Sequence, residues 1–123
     1  MSTSQLRALR GATTASANTS EAISEAVGEL IDALVERNKL EGSQVLSVTF
    51  SVTADLNAIF PAAIARRRHG WDGVALLDCQ QMAVAGDLPH CIRLLAHVWL
   101  EADQPVRHAY LRDAARLRPD LAG

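Results

Sequence analysis

Four arginines stand at the edges of apolar segments: Arg10 closes a short alternating run, Arg66 lies in a short helical stretch, Arg93 interrupts an apolar run and Arg118 precedes Pro119. A guanidinium offers a planar fork of N–H donors that meets a carboxylate or phosphate bidentately and never loses its charge. The bias runs through the chain, since Lys39 is the one lysine among 12 cations. Genomic base composition produces such a bias too, so position must separate recognition from composition. A site built from these arginines suits a small polycarboxylate.

Other chemistries are excluded by what the chain lacks. It has no GxGxxG after a strand, no GxxxxGK[ST], no GxSxG and no HExxH. Cys79 and Cys91 form no CxxC pair, so no metal site and no disulfide scaffold is expected, and they read as reduced, semi-buried thiols. The 12 cations face 14 anions, a net charge of −2 that gives no field for holding nucleic acid or a membrane surface. No apolar run reaches the roughly 18 residues that span a bilayer, and no leader pattern opens the chain, so a cytoplasmic protein is expected. A length of 123 residues with 49% apolar content fits a single domain, 1–123, with one core.

The elements that must position the arginines follow from periodicity. Leu6 to Leu9, alternating with Arg7 and Arg10, predicts a strand that opens at Gly11 into a polar run from Ala12 to Thr19. Asn18 with Glu21 marks a helix start, and Ile23, Val27, Leu30, Ile31 and Leu34 recur at helical spacing until Asn38. From Val45 to Thr53 apolar residues alternate with Ser47, Thr49 and Ser51, a half-buried strand. Asp55 is expected to cap a short helix over Ala62 to Arg68 in which Pro61 occupies the first turn. Val74 to Leu77 reads as a buried strand and Ala85 to Pro89 as a loop. Cys91 to Leu100 alternates like a strand despite its Leu and Ala, whereas Val106 to Arg118 has high helix propensity that its pattern does not settle. The outline is an α/β (α+β) domain, a mixed sheet with helices on one face.

Five segments then carry a resemblance. Arg7-Ala8-Leu9-Arg10-Gly11-Ala12-Thr13-Thr14, Thr53-Ala54-Asp55-Leu56-Asn57 with Phe60-Pro61-Ala62, Cys91-Ile92-Arg93, His108-Ala109-Tyr110-Leu111 and Leu117-Arg118-Pro119-Asp120-Leu121 closely resemble the AroH-class chorismate mutases, in that family's order and spacing. The resemblance spans nearly the whole chain. It implies a homotrimer forming a pseudo-α/β-barrel, active sites at the subunit interfaces, and cofactor-free conversion of chorismate to prephenate. It also implies that both late segments are strands, against the helix propensity of Ala109 to Ala115.

Such a reaction explains why arginine recurs. Chorismate is a dicarboxylate whose intramolecular rearrangement breaks an ether C–O bond as a C–C bond forms, with no nucleophile or base needed. Rate must come from holding a compact conformer and placing fixed charges where the transition state polarises. A millionfold acceleration corresponds to roughly 8 kcal/mol. By resemblance, Arg93 hydrogen-bonds the ether oxygen, Arg10 and Tyr110 bind the side-chain carboxylate, and Arg66 and Arg118 hold substrate near the mouth. Phe60 and Leu117 are apolar walls, and Ala62, Leu76 and Leu77 supply backbone and wall contacts. Each has a plainer account as a surface ion pair or core side chain, and Arg67, Arg68, His69, His90 and His97 have no motif role.

At two positions the chain departs from the family. Where Gln81 stands, well-known members carry Glu, and where Asp78 stands they carry Cys. A neutral Gln81 cannot offset a developing cation, so Asp78 is expected to restore the charge while Gln81 keeps a hydrogen bond. The rival expectations are a non-catalytic trimeric module binding a small carboxylate, and an enamine/imine deaminase of similar fold.

Overall fold

The computed structural model describes residues 3–121. Strand β1 (Ser4–Thr14) leads to helix α1 (Ser20–Asn38), β2 (Val45–Val52), α2 (Pro61–Arg66), β3 (Ala75–Gln80), β4 (Cys91–Glu101) and β5 (Ala109–Tyr110), with short 3-10 turns over Gly42–Gln44, Arg112–Arg116 and Pro119–Leu121. The strands form one mixed sheet in the order β3-β2-β4-β1-β5. β4 is antiparallel to both β1 and β2, while β3 and β5 run parallel to their neighbours β2 and β1.

Alternation decides which face each residue takes. Leu9, Val48, Phe50, Ile92, Leu94, Ala96 and Val98 turn to one face and bury against Ile23, Val27, Leu30, Ile31 and Leu34 of α1. Gly11 lies on that face, where an added Cβ would meet Leu30, Leu34 and Leu94 at 3.1–3.3 Å, so glycine lets the helix sit close to the strand. The other face carries Leu6, Leu77, Leu95 and Trp99, all exposed. Large apolar side chains on an uncovered sheet face make it a candidate interaction surface.

Most expected elements form, with six differences. The strand expected to be buried over Val74 to Leu77 is instead β3, Ala75–Gln80, which lies at the sheet edge with Ala75, Leu77, Cys79 and Gln80 exposed. Cys79 is thus an exposed thiol rather than a semi-buried one, while Cys91 is fully buried. β1 continues through the supposed polar run to Thr14 because every residue from Ser4 to Thr14 pairs with β4. The cap of α1 is Thr19, whose hydroxyl accepts the Ala22 N–H at 3.1 Å, while Asn18 is spent elsewhere. Asp55 does not cap α2; that helix opens at Phe60 and Pro61, Phe60 offers no side-chain cap, and the first-turn Ala62 N–H is taken instead by Asp78 of β3. Leu46 sits at a bulge between Val45 and Ser47 and is exposed, rather than joining the buried alternation. The last segment is a strand only at Ala109–Tyr110, then turns into 3-10 helix from Arg112, whose left-handed φ of 53° ends the extended run. Its guanidinium donates to Thr14 O at 3.1 Å and to Glu29 at 3.1 Å, fastening this turn to β1 and α1.

The stretch leading into β5 is tied down by one buried amide. Asn38 is fully buried at the end of α1; its Nδ2 donates to Leu34 O and Arg107 O, and its Oδ1 accepts the Arg107 N–H at 2.9 Å. Backbone groups that would otherwise be orphaned in the interior are thereby satisfied, which fixes the approach to Tyr110.

Candidate functional site

Pairing register brings the sequence-separated candidates together. Across the exposed face, Ser51, Arg93, Ala12 and Tyr110 are consecutive partners on β2, β4, β1 and β5, and the next row runs Thr49, Leu95, Arg10. Arg93 and Arg10 therefore stand one row apart on neighbouring strands, with Tyr110 alongside. Leu117 packs with Leu88, Ala12 and Tyr110 in a small separate cluster, an apolar floor beside these cations. Gln81 follows β3, its N–H held by Val52 O at 2.7 Å, and its amide reaches Asp87 in the loop before β4.

This group is charged, and its charge is only partly offset. Arg118 forms a bidentate pair with Asp120 at 3.0 and 2.7 Å. Arg93 Nη2 lies 3.5 Å from Asp87, and its side chain is 41% exposed, leaving donors open to solvent. The Arg10 N–H donates to His108 Nδ1 at 2.9 Å. Burial, together with the nearby Arg10 and Arg118 guanidiniums, holds the His108 imidazole below its ordinary value of 6.5. Burial is the larger cause, and the guanidinium contribution adds to it in the direction of a positive local potential. Burial also pushes the Cys91 thiol up, although neighbouring Arg93 opposes this, so Cys91 is a neutral packing group.

The remaining candidates form a second group. Register places Asp78 beside Phe50, on the helix-covered face and thus opposite Arg93. Its Oδ1 accepts the Ala62 N–H at 3.0 Å, in the first turn of α2. Burial raises its pKa, against the opposing influence of that N–H and of Arg66. Phe60 is 72% exposed at the start of α2 and overlooks a cleft of about 600 Å³ that Asp78 and Asn57 also line. Leu76 packs against the core, whereas Leu77 is exposed on the other face of β3.

Within the chain the candidates thus divide in two: Arg10, Leu77, Gln81, Arg93, Tyr110, Leu117 and Arg118 on one side, and Phe60, Ala62, Arg66, Asp78 and Leu76 on the other. Sequence reasoning missed several residues that hold these groups in place. Asn18 accepts from the Asn57 and Ala58 N–H groups at 2.9 and 3.1 Å, fixing the loop that delivers Phe60. Asp55 accepts from the Thr53 hydroxyl and the His90 N–H, bracing the loop that carries Asp87. Asp87 gave no signal of its own, since the segment Ala85 to Pro89 reads only as a turn. No cluster of three or more metal-ligating side chains occurs among the described residues, and no helix there is long and apolar enough to cross a membrane.

Comparison with known proteins agrees across sequence and structure. The family model described as chorismate mutase type I matches residues 6–121. A chorismate mutase AroH of Bacillus subtilis (strain 168) is 37% identical over 118 residues, covering 95% of this chain and 93% of that protein. One of Thermus thermophilus is 45% identical over 120 residues, covering 94% and 96%. Among solved structures, a chorismate mutase from Clostridium thermocellum superposes with a TM-score of 0.82 at 39% identity, covering 89% of this chain and 98% of that one.

Proposed function

The chain belongs to the type I chorismate mutase family and is an isomerase converting chorismate to prephenate in aromatic amino-acid biosynthesis, and we propose that it does so at sites shared between the protomers of a homotrimer. Each site joins the arginine group of one protomer to the Phe60–Asp78 cleft of the next. The observation that carries this reading is the division of the candidates onto opposite faces of one sheet, so that neither group alone encloses a substrate. The exposed stripe of Leu6, Leu77, Leu95 and Trp99 supports assembly through that face. The protein is read as one cytoplasmic domain.

In this arrangement Arg93 donates from its exposed nitrogens to the ether oxygen, where negative charge grows as the C–O bond breaks. Arg10 and the Tyr110 hydroxyl take one carboxylate, and Arg118 with the facing protomer's Arg66 holds the other end of the dianion. Phe60, Ala62, Leu76, Leu77 and Leu117 enclose the ring and exclude water, which strengthens every charge interaction inside. Asp78 offers its carboxylate to the ring hydroxyl and opposes the cationic fragment. The protein supplies position and fixed charge, and no proton needs to move.

Replacing Arg93 by Ala removes a preorganised donor at a developing charge, and kcat should fall about a hundred- to a thousandfold. Steady-state loss of chorismate absorbance, with prephenate identified as product, measures this. Near-parental turnover of folded Arg93→Ala would remove Arg93 from the mechanism.

A further inference from the structure

Resting on that reading of Arg93, we propose that Asp87 is a positioning carboxylate of the site, acting through Gln81 and Arg93. Its carboxylate is a shared acceptor: one oxygen takes the Gln81 amide Nε2, the other takes the Leu88 N–H at 2.8 Å and lies 3.5 Å from Arg93 Nη2. The Leu88 bond fixes the Asp87 rotamer, so the negative charge stays where Gln81 and Arg93 converge. Its side chain is only 24% exposed, so water screens this charge little.

The need for that charge follows from the chemistry. As the ether bond breaks, the ring fragment becomes electron-poor, and a site furnished only with Arg10, Arg93 and Arg118 would oppose it. Asp120 is engaged bidentately by Arg118, and Asp78 reaches the site from the facing protomer, so a second carboxylate is needed on the arginines' own side. Asp87 is the carboxylate that meets Arg93 directly. It anchors one end of the guanidinium while the side chain stays 41% exposed, and through a charge-assisted bond it polarises the neutral amide of Gln81.

Stability alone does not account for this trio. Gln81 Oε1 and Arg93 Nε are both buried without a hydrogen-bond partner. Leaving such atoms unpaired costs free energy that a purely structural ion pair would avoid.

Asp87→Asn keeps an acceptor for the Leu88 N–H while removing the charge, and Tm monitors folding. The variant should lose kcat by about 10- to 100-fold while KM shifts by no more than a few-fold, the range for an interaction made chiefly in the transition state. Because the Gln81 amide touches the Asp87 oxygen, Gln81→Glu places a carboxylate at nearly the same point. The double variant Asp87→Asn/Gln81→Glu should therefore recover most of the lost kcat. In the presence of intact Asp87, Gln81→Glu crowds two carboxylates together, raises the pKa of one, and should depress turnover at neutral pH with recovery on acidification.

Parental or increased kcat in Asp87→Asn overturns the proposal, an increase meaning that the pair merely quenches Arg93. So does a double variant as slow as Asp87→Asn. Should Asp87→Asn fail to fold, the pH profile of Gln81→Glu decides, and a flat profile overturns it. A neutral Asp87→Asn beside an inactive Arg93→Ala removes this inference alone, whereas an active Arg93→Ala removes the underlying site as well.

Discussion

The two candidate groups are built in different ways. Arg93, Ala12 and Tyr110 are set by strand pairing, each held by ladder hydrogen bonds to its neighbours, and the stretch leading into Tyr110 is fastened further by buried Asn38. Phe60 and Ala62 depend instead on a loop braced by Asn18 and on the first turn of a six-residue helix, which meets Asp78 of β3 through the Ala62 N–H. A rigid lattice suits the cations, because electrostatic catalysis fails when a charge must reorganise during the reaction. Apolar walls tolerate small shifts, so a helix end and a loop suffice for shape.

This contrast can be broken or sharpened by experiment. The largest effect belongs to the pairing-held side: Arg93→Lys keeps the charge but not the fork, and should stay at least about tenfold below the parent. Full activity there would mean that charge without geometry is enough. On the cleft side, Asp78→Asn retains the acceptor for Ala62 N–H and should lose about tenfold in kcat, the scale of one hydrogen bond to a charged group. A loss under twofold would make Asp78 only a cap for α2. The smallest effect is a titration. His108 should show an NMR pKa below 6.5, since burial and two guanidiniums disfavour its cation. With the folded pKa depressed, its stability contribution is present above 6.5 and is lost as pH falls through the folded value. Saturating prephenate brings negative charge to Arg10 and Arg118 and should move that pKa upward. A pKa unmoved by prephenate would place the carboxylate elsewhere.

Much of the fold was legible because periods were clean. β2 and β4 alternate, α1 repeats at helical spacing, and burial follows both. The end of the chain was harder. Ala and Arg between Ala109 and Ala115 favour helix locally and the family resemblance implies strand; the chain does both in turn, because pairing with β1 ends at Tyr110, after a last backbone bond from Leu111 N–H to Ala12 O. Asp55 looked like a cap because it precedes a proline-led helix, yet its carboxylate serves Thr53 and His90, a choice set by where the β4 loop returns. Among site residues, the arginines were visible by type and resemblance. What placed them in one row was register, which no single segment encodes. Asp87 was invisible because its meaning comes entirely from two partners reached by folding.

The central claim is that each site borrows its two sides from different protomers. Co-expression of Arg93→Ala with Arg66→Asp tests it, since one variant lacks the ether-oxygen donor and the other reverses a charge beside the facing cleft. Random mixing in trimers should leave about a quarter of the sites with both sides intact, restoring a comparable share of parental activity. Mixed trimers no more active than the two variants assayed apart would contradict the account.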